Sequence, residues 1–242
     1  MNYFLKFFFV VCMLPVASSL NAQYSLGMTG LQTIPTADMQ ADGTFMGGAN
    51  FLPEAMTPGY WDYDTGNYFV NMTFLPFLEV AYRCTLLHGE FENGNKWQQD
   101  RSVSLRLRPL KEGKWHPAIV LGSNDAFTSS ELNMFAKVKG NRFFSSVYVV
   151  GTKHLLFGGH DLGLSLGGNI PFRKDAYHKG VFGGVSYRPA FLKPVVLMVE
   201  YDTEAVSVGA AARFFNHLSL HAFCYDFKAL SAGIRYEFRC WK

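Results

Sequence analysis

The sequence predicts an all-β protein, an antiparallel transmembrane β-barrel of about 12–14 strands, and three observations carry that prediction. From about Asp42 onward, apolar letters take every second position through successive segments, which is the period of a strand with two unlike faces. Aromatic residues make up 16% of the 242 residues, with 23 Phe and 12 Tyr, and 23 Gly accompany them, a profile of strands joined by tight turns. The polar faces hold Gly, Ser, Asn, Thr and occasional Arg rather than the abundant Lys and Glu of a water-facing sheet, so the greasy faces point to lipid and the polar faces to a crowded lumen.

Residues 1–22 are expected to be a signal peptide. A single charge at Lys6 precedes an apolar run from Phe7 to Leu14, then the Pro15 break and small residues leading to a cut near Ala22. The run is too short to span a bilayer as a helix. Cys12 sits at the end of an unbroken Phe-Val run and is followed by Met-Leu-Pro, so the small-residue box of a lipid anchor is missing. Residues 23–41 form an N-terminal lead-in or plug. In it Pro35 removes a backbone donor while Gly27, Gly30 and, just beyond, Gly43 permit close approach; Thr33, Thr36 and Ala37 complete the motif. Such a segment packs at the periplasmic mouth, enters the lumen, or runs as an extended leader.

Residues 42–242 are the barrel. Strands are expected to begin near Asp42, Gly66, Phe77, Ser102, Pro117, Glu131, Phe143, Asp161, Gly180, Pro194, Glu204, Leu218 and Leu230. Tyr68, Val70, Met72 and Phe74 share one face against Asn67, Asn71 and Thr73; Val103, Leu105 and Leu107 oppose Ser104, Arg106 and Arg108; Leu162, Leu164 and Leu166 oppose Gly163, Ser165 and Gly167. Aromatics near segment ends, including Tyr68, Phe74, Phe77, Tyr187, Tyr201, Phe214, Tyr225 and Tyr236, would form interfacial girdles. In the last strand Ser231, Gly233, Tyr236 and Phe238 resemble the assembly signal of bacterial outer-membrane barrels, although Arg239 to Lys242 follow it.

The inferred inner face carries Arg83, Arg106, Arg108, Lys137, Arg213 and Arg235 against Glu79, Glu200 and Glu237. Charges are costly toward lipid, so the lumen is their place, and the excess of basic groups predicts a basic interior. Two readings remain open, internal ion pairs that support the wall or a lumen that favours anionic ligands.

Other chemistry is thin. The net charge of +3 comes from scattered Lys and Arg, so no nucleic-acid partner is expected. Beyond the signal peptide the cysteines are Cys84, Cys224 and Cys240, an odd number without a CxxC pair, and neither a disulfide framework nor a zinc site follows. Gly163-Leu-Ser165-Leu-Gly167 matches a nucleophile elbow in letters only, because no helix follows it. Ser219 and His221 share a strand face and are the better catalytic candidate, without an orienting third group. His154, His160 and Asp161, or His217 with His221, lack the support of a metal site. No enzyme, metal or cofactor is predicted.

The stretches GMTGLQTIPTADMQADGTF and NYFVNMTFLPFLEVAYR resemble the start of the YjbH-like barrels associated with bacterial exopolysaccharide and capsule export. GSNDAFTSSELNMFAKVKG and VEYDTEAVSVGAAARFFNHLSL follow in the family's order, so the resemblance covers most of the mature chain. The better-known members are several times longer, which makes this chain a single-barrel version. The resemblance implies a bacterial (Gram-negative) outer-membrane location and a part in exopolysaccharide or capsule export or surface assembly. The implied partners are outer-membrane lipid, acidic polysaccharide and periplasmic export proteins. The barrel is expected to be a passive conduit with a basic lumen; the alternatives are a structural tether with a filled lumen and a lipid-modifying barrel enzyme.

Overall fold

A computed structural model describes residues 24–57, 61–89, 94, 96–128, 143–172 and 178–241. Twelve strands form one closed antiparallel barrel: β1 (Thr44–Leu52), β2 (Thr65–Phe74), β3 (Leu78–His88), β4 (Trp97–Leu110), β5 (Ala118–Thr128), β6 (Ser146–Phe157), β7 (His160–Pro171), β8 (Gly180–Arg188), β9 (Val195–Tyr201), β10 (Val206–Phe214), β11 (Leu218–Tyr225) and β12 (Ala229–Arg239). Each pairs with its sequence neighbours, and β12 closes on β1 from Thr44↔Arg239 to Asn50↔Gly233. Closure removes the two sheet edges that an open meander would leave unpaired. The strand expected near Glu131 falls outside the described residues, as do Lys137 and the whole of the proposed signal peptide.

The two ends of the barrel differ. The connections at 75–77, 111–117, 158–159, 189–194 and 215–217 lie at the end where β1 starts and β12 stops. At the opposite end β1, β3, β5, β7, β9 and β11 stop and the next strands start; more residues separate the strands there, and one 3-10 turn, Glu54–Met56, follows β1. The tightest hairpins use left-handed residues: Gly158 and Gly159, and Phe215 with Asn216, all have positive φ.

Alternation assigns the faces. In β2 the outward Tyr68, Val70 and Phe74 are exposed while Asn67, Phe69, Asn71 and Thr73 are buried inside. The outer wall is a continuous apolar surface that includes Leu121, Val149, Leu166, Ile170, Val181, Leu197, Leu220 and Ile234. Tyr225 departs from the expected girdle. It is buried with Leu52, Met56, Ala205 and Phe223 inside the loop end, because its register puts it on the inner face beside Ser207.

The inner wall is itself divided. Toward β1–β4 it is polar, whereas β5–β10 turn Ala118, Val120, Tyr148, Val150, Phe182, Val196, Met198 and Ala211 inward. Those side chains need an apolar partner, and residues 24–41 supply one: Leu31, Ile34 and Ala37 pack against them. The run VVLMVEY in β9 already carried this signal, since a strand without alternation is apolar on both faces.

Candidate functional site

The site is the lumen, and the chain fills it with its own N-terminal segment. Tyr24 lies at the loop end, where Leu52, Met56, Phe144, His178, Asp202 and Tyr225 line a cavity of about 20 Å³ around it, room for roughly one water. The segment then folds back and forth along the axis and leaves at the turn end to start β1. Tyr24 donates its amide to Met28, Ser25 to Gln32 and Leu31 to Ile34, and Gly30 bridges Pro35. Gly30 is required by that fold, because a Cβ there would sit 2.5 Å from the Ile34 carbonyl oxygen.

A strandless segment buried in a barrel leaves backbone groups without a ladder, and the wall satisfies them one by one. Asn50 and Asn67 each donate to the Ser25 carbonyl, at 3.2 and 2.8 Å, and Asn71 donates to that of Gly27 at 2.8 Å. Glu79 accepts from the Thr29 amide (2.7 Å), the Thr29 hydroxyl (3.0 Å) and Asn71 (2.6 Å). Across the lumen Glu200 accepts the amides of Gln32 and Thr33 at 3.1 and 2.9 Å. Arg106 donates to three plug carbonyls, those of Thr29, Thr36 and Asp38. Thr152 accepts the Ala37 amide at 2.7 Å, and the Thr36 hydroxyl donates to Asp38 at 3.0 Å.

The arginines expected to line a basic lumen are paired. Arg83 donates to Asp125 at 2.8 Å, lies 3.9 Å from Asp100, and covers the Phe144 ring at 4.5 Å. Arg106 Nε lies 3.3 Å from Glu79 Oε2, an ion pair without hydrogen-bond alignment. Arg213 and Arg235 share Glu237, at 2.5 and 3.1 Å. Arg108 is not in the lumen: it is partly exposed, and its guanidinium donates to the Pro76 carbonyl at the rim. Among the described residues four arginines are buried (Arg83, Arg106, Arg213, Arg235) against six carboxylates (Glu79, Asp100, Asp125, Glu200, Asp202, Glu237). Among the described residues, then, carboxylates outnumber arginines in the interior, against the expected basic excess. Asp100, Asp125 and Asp202 were the missed members: Asp100 follows the inward alternation of Ser102, Ser104 and Arg106, Asp125 sits at a β4–β5 register shift that conceals its face, and Asp202 lies just after β9.

At the turn end the plug is tied down by charge. His154 Nε2 contacts Asp38 at 3.0 Å and its Nδ1 contacts Asp161 at 2.6 Å, while Arg188 pairs with the other Asp161 oxygen at 2.8 Å. Burial pushes the Asp38 carboxyl up, but the hydrogen bond and charge of His154, with help from Thr36 and Arg106, outweigh it and hold Asp38 below the usual carboxylate range. These residues form a structural latch, and no group of metal-ligating residues occurs among the described residues.

Ser219 and His221 point into the filled lumen and not to an outer rim. Ser219 accepts from Arg235 at 3.4 Å, and His221 packs over Gly233. Ser165 exchanges a hydrogen bond with Thr152 at 2.8 Å inside β7. His160 binds the Tyr187 hydroxyl at 2.7 Å and stacks on its ring. The three described cysteines, Cys84, Cys224 and Cys240, form no disulfide.

Twelve antiparallel strands closed around a folded N-terminal segment define a plugged β-barrel. Residues 22–171 match the family described as "Exopolysaccharide biosynthesis protein YbjH", and the chain belongs to that YjbH family. It is 24% identical over 220 residues to the "Uncharacterized lipoprotein YjbH" of Escherichia coli (strain K12), a match that covers 75% of this chain and 28% of the relative. The chain thus spans well under half the length of that relative.

Proposed function

We propose that the protein is secreted, loses its signal peptide near Ala22, and inserts in the bacterial outer membrane as a non-catalytic, self-plugged barrel that serves exopolysaccharide or capsule surface assembly. The outward apolar wall and the exposed aromatics near both ends, among them Phe74, Phe77, Trp115, Phe191, Tyr201 and Phe227, are what a membrane barrel presents to lipid and to its two interfaces. The long-loop end faces the exterior in this reading, and the end with the short turns and both strand termini faces the periplasm.

One observation carries the choice among roles: the lumen is occupied by residues 24–41, whose backbone is bonded to the wall from both sides. That favours a tether that holds acidic polysaccharide or periplasmic export proteins at its mouths over an open conduit lined by arginines. The family's tie to exopolysaccharide biosynthesis supports the glycan connection.

The deciding measurement is single-channel conductance of the refolded chain in a planar bilayer, beside a variant lacking residues 24–38, with and without an acidic polysaccharide. The intact chain is expected to be silent and the deleted chain to conduct. An intact chain that forms an anion-selective pore blocked by the glycan would overturn the tether reading.

A further inference from the structure

The outer wall is not uniformly convex. Across β4–β8 it holds an apolar hollow of about 860 Å³, within the range of cavities that take a small molecule of drug size, roughly 300–1,000 Å³. Leu105, Leu107, Leu121, Val147, Val149 and Ile170 line it. Its depth has a local cause. Gly168 pairs with Val149 on one side and Val181 on the other, so it occupies an outward position where its neighbours present large side chains, and a Cβ built there meets nothing nearer than the Gly180 carbonyl oxygen at 3.8 Å. Two register shifts in the β4–β5 pairing, between Val103 and Leu105 and between Leu107 and Leu110, disturb the wall beside it.

At its loop-end rim Lys179 and Gly180 form the lip, and no other described residue closes it. Lys179 has no ion-pair partner among the described residues. An apolar trough that runs down the lipid-facing wall with Lys179 at its interfacial end fits an acyl lipid with an anionic phosphate headgroup. The acyl chain gains van der Waals contact in a fixed groove, and the ammonium contributes a Coulombic term at the depth where headgroups lie. A neutral lipid would gain the first and not the second. A soluble apolar ligand would leave Lys179 unused.

We propose that the β4–β8 hollow is a specific binding site for a phosphorylated acyl lipid, its chain lying against Gly168 and its phosphate held by Lys179. The site rests on the membrane-barrel reading above. It adds to that reading a fixed lipid with a defined headgroup in the leaflet next to the long loops.

The test reconstitutes the full mature chain in phosphatidylcholine vesicles that contain trace spin-labelled phosphatidylglycerol or spin-labelled diacylglycerol, and reads the motionally restricted fraction by electron paramagnetic resonance. The wild-type protein is expected to restrict phosphatidylglycerol more than diacylglycerol. Lys179→Glu, an exposed loop change, is expected to lower the relative affinity for phosphatidylglycerol about five-fold. Gly168→Leu fills the trough, which has the space for it, and is expected to abolish the preference while leaving the heat-modifiable mobility of the folded barrel unchanged. Equal restriction of the two lipids by the wild-type protein, or a preference untouched by both substitutions, would sink the proposal. A chain that does not insert into vesicles at all would overturn the membrane reading itself, a result distinguishable from either.

Discussion

Glu79 and Arg106 hold the same turn of the plug from two sides: Glu79 accepts the amide and hydroxyl of Thr29, and Arg106 donates to the carbonyl of that same residue. The two side chains also face each other at 3.3 Å, fully buried. The ion pair is therefore part of a clamp on a backbone segment. Its charges gain hydrogen bonds that a bare buried pair would lack, which is the condition under which burying charge is tolerable.

Arg106→Met is expected to destabilise the folded barrel by about 3–5 kcal/mol, because it leaves Glu79 buried without its counter-charge and three plug carbonyls without a donor. The midpoint of urea unfolding in detergent checks this. The double variant with Glu79→Gln should recover part of the loss. No recovery would mean that the carbonyl contacts alone matter.

Glu200→Gln and Glu200→Leu should separate. Each Glu200 oxygen takes one amide, so Gln keeps an oxygen for only one of Gln32 and Thr33 and turns its NH2 toward the other at a cost of about 1–3 kcal/mol, whereas Leu orphans both donors at about that cost each. Amide hydrogen exchange at Gln32 and Thr33 is the direct readout: faster exchange at one of the two in the Gln variant and at both in the Leu variant.

Acid should loosen the turn-end latch. Asp38 titrates below its ordinary value in the folded protein, so it contributes stability that is present above the unfolded carboxylate range near 3.9 and is lost as pH falls through the lower folded value. The groups that face it are His154 from β6, with Asp161 of β7 and Arg188 of β8 behind, and Arg106 from β4. Protease access to residues 24–41 is expected to rise below about pH 4 in the wild-type protein. In Asp38→Asn the rise should be absent or much reduced, and an unchanged profile would show that another group governs it.

Gly48→Leu should weaken the closing seam of the barrel. A Cβ at Gly48 would lie 2.3 Å from the Ile234 carbonyl oxygen and 2.7 Å from the Phe69 ring, both fixed by the β12–β1–β2 pairing. A cost of about 1–3 kcal/mol or more is expected from overpacking, seen as a lower temperature at which the band on a gel loses its heat-modifiable shift.

Much of the fold was legible in the letters because a strand's period of two is local. Twelve of the thirteen expected strand starts fall within a few residues of observed strands, and the thirteenth lies outside the described residues. The outward set in β2, β4 and β7 followed from alternation alone. The plug was harder to read: Gly30, Thr33, Pro35 and Thr36 marked an irregular segment, but nothing in their spacing says that Glu79 and Glu200, fifty and 167 positions away from Thr29 and Thr33, accept their backbone amides.

By itself the sequence determined which residues form strands and which faces are greasy, since those depend on neighbours two positions apart. Only the tertiary structure decided the electrostatics of the interior. Arg83 meets Asp125 from across β4, and Arg213 shares Glu237 with Arg235, pairings set by barrel closure and register. A sum of inward charges read along the chain missed Asp100, Asp125 and Asp202 and left Arg108, at the rim, in the count. The lumen was filled for the same reason: an inner wall apolar over β5–β10 and polar over β1–β4 is stable only against a partner with matching sides, and residues 24–41 present Leu31 and Ile34 to one and their backbone amides and carbonyls to the other.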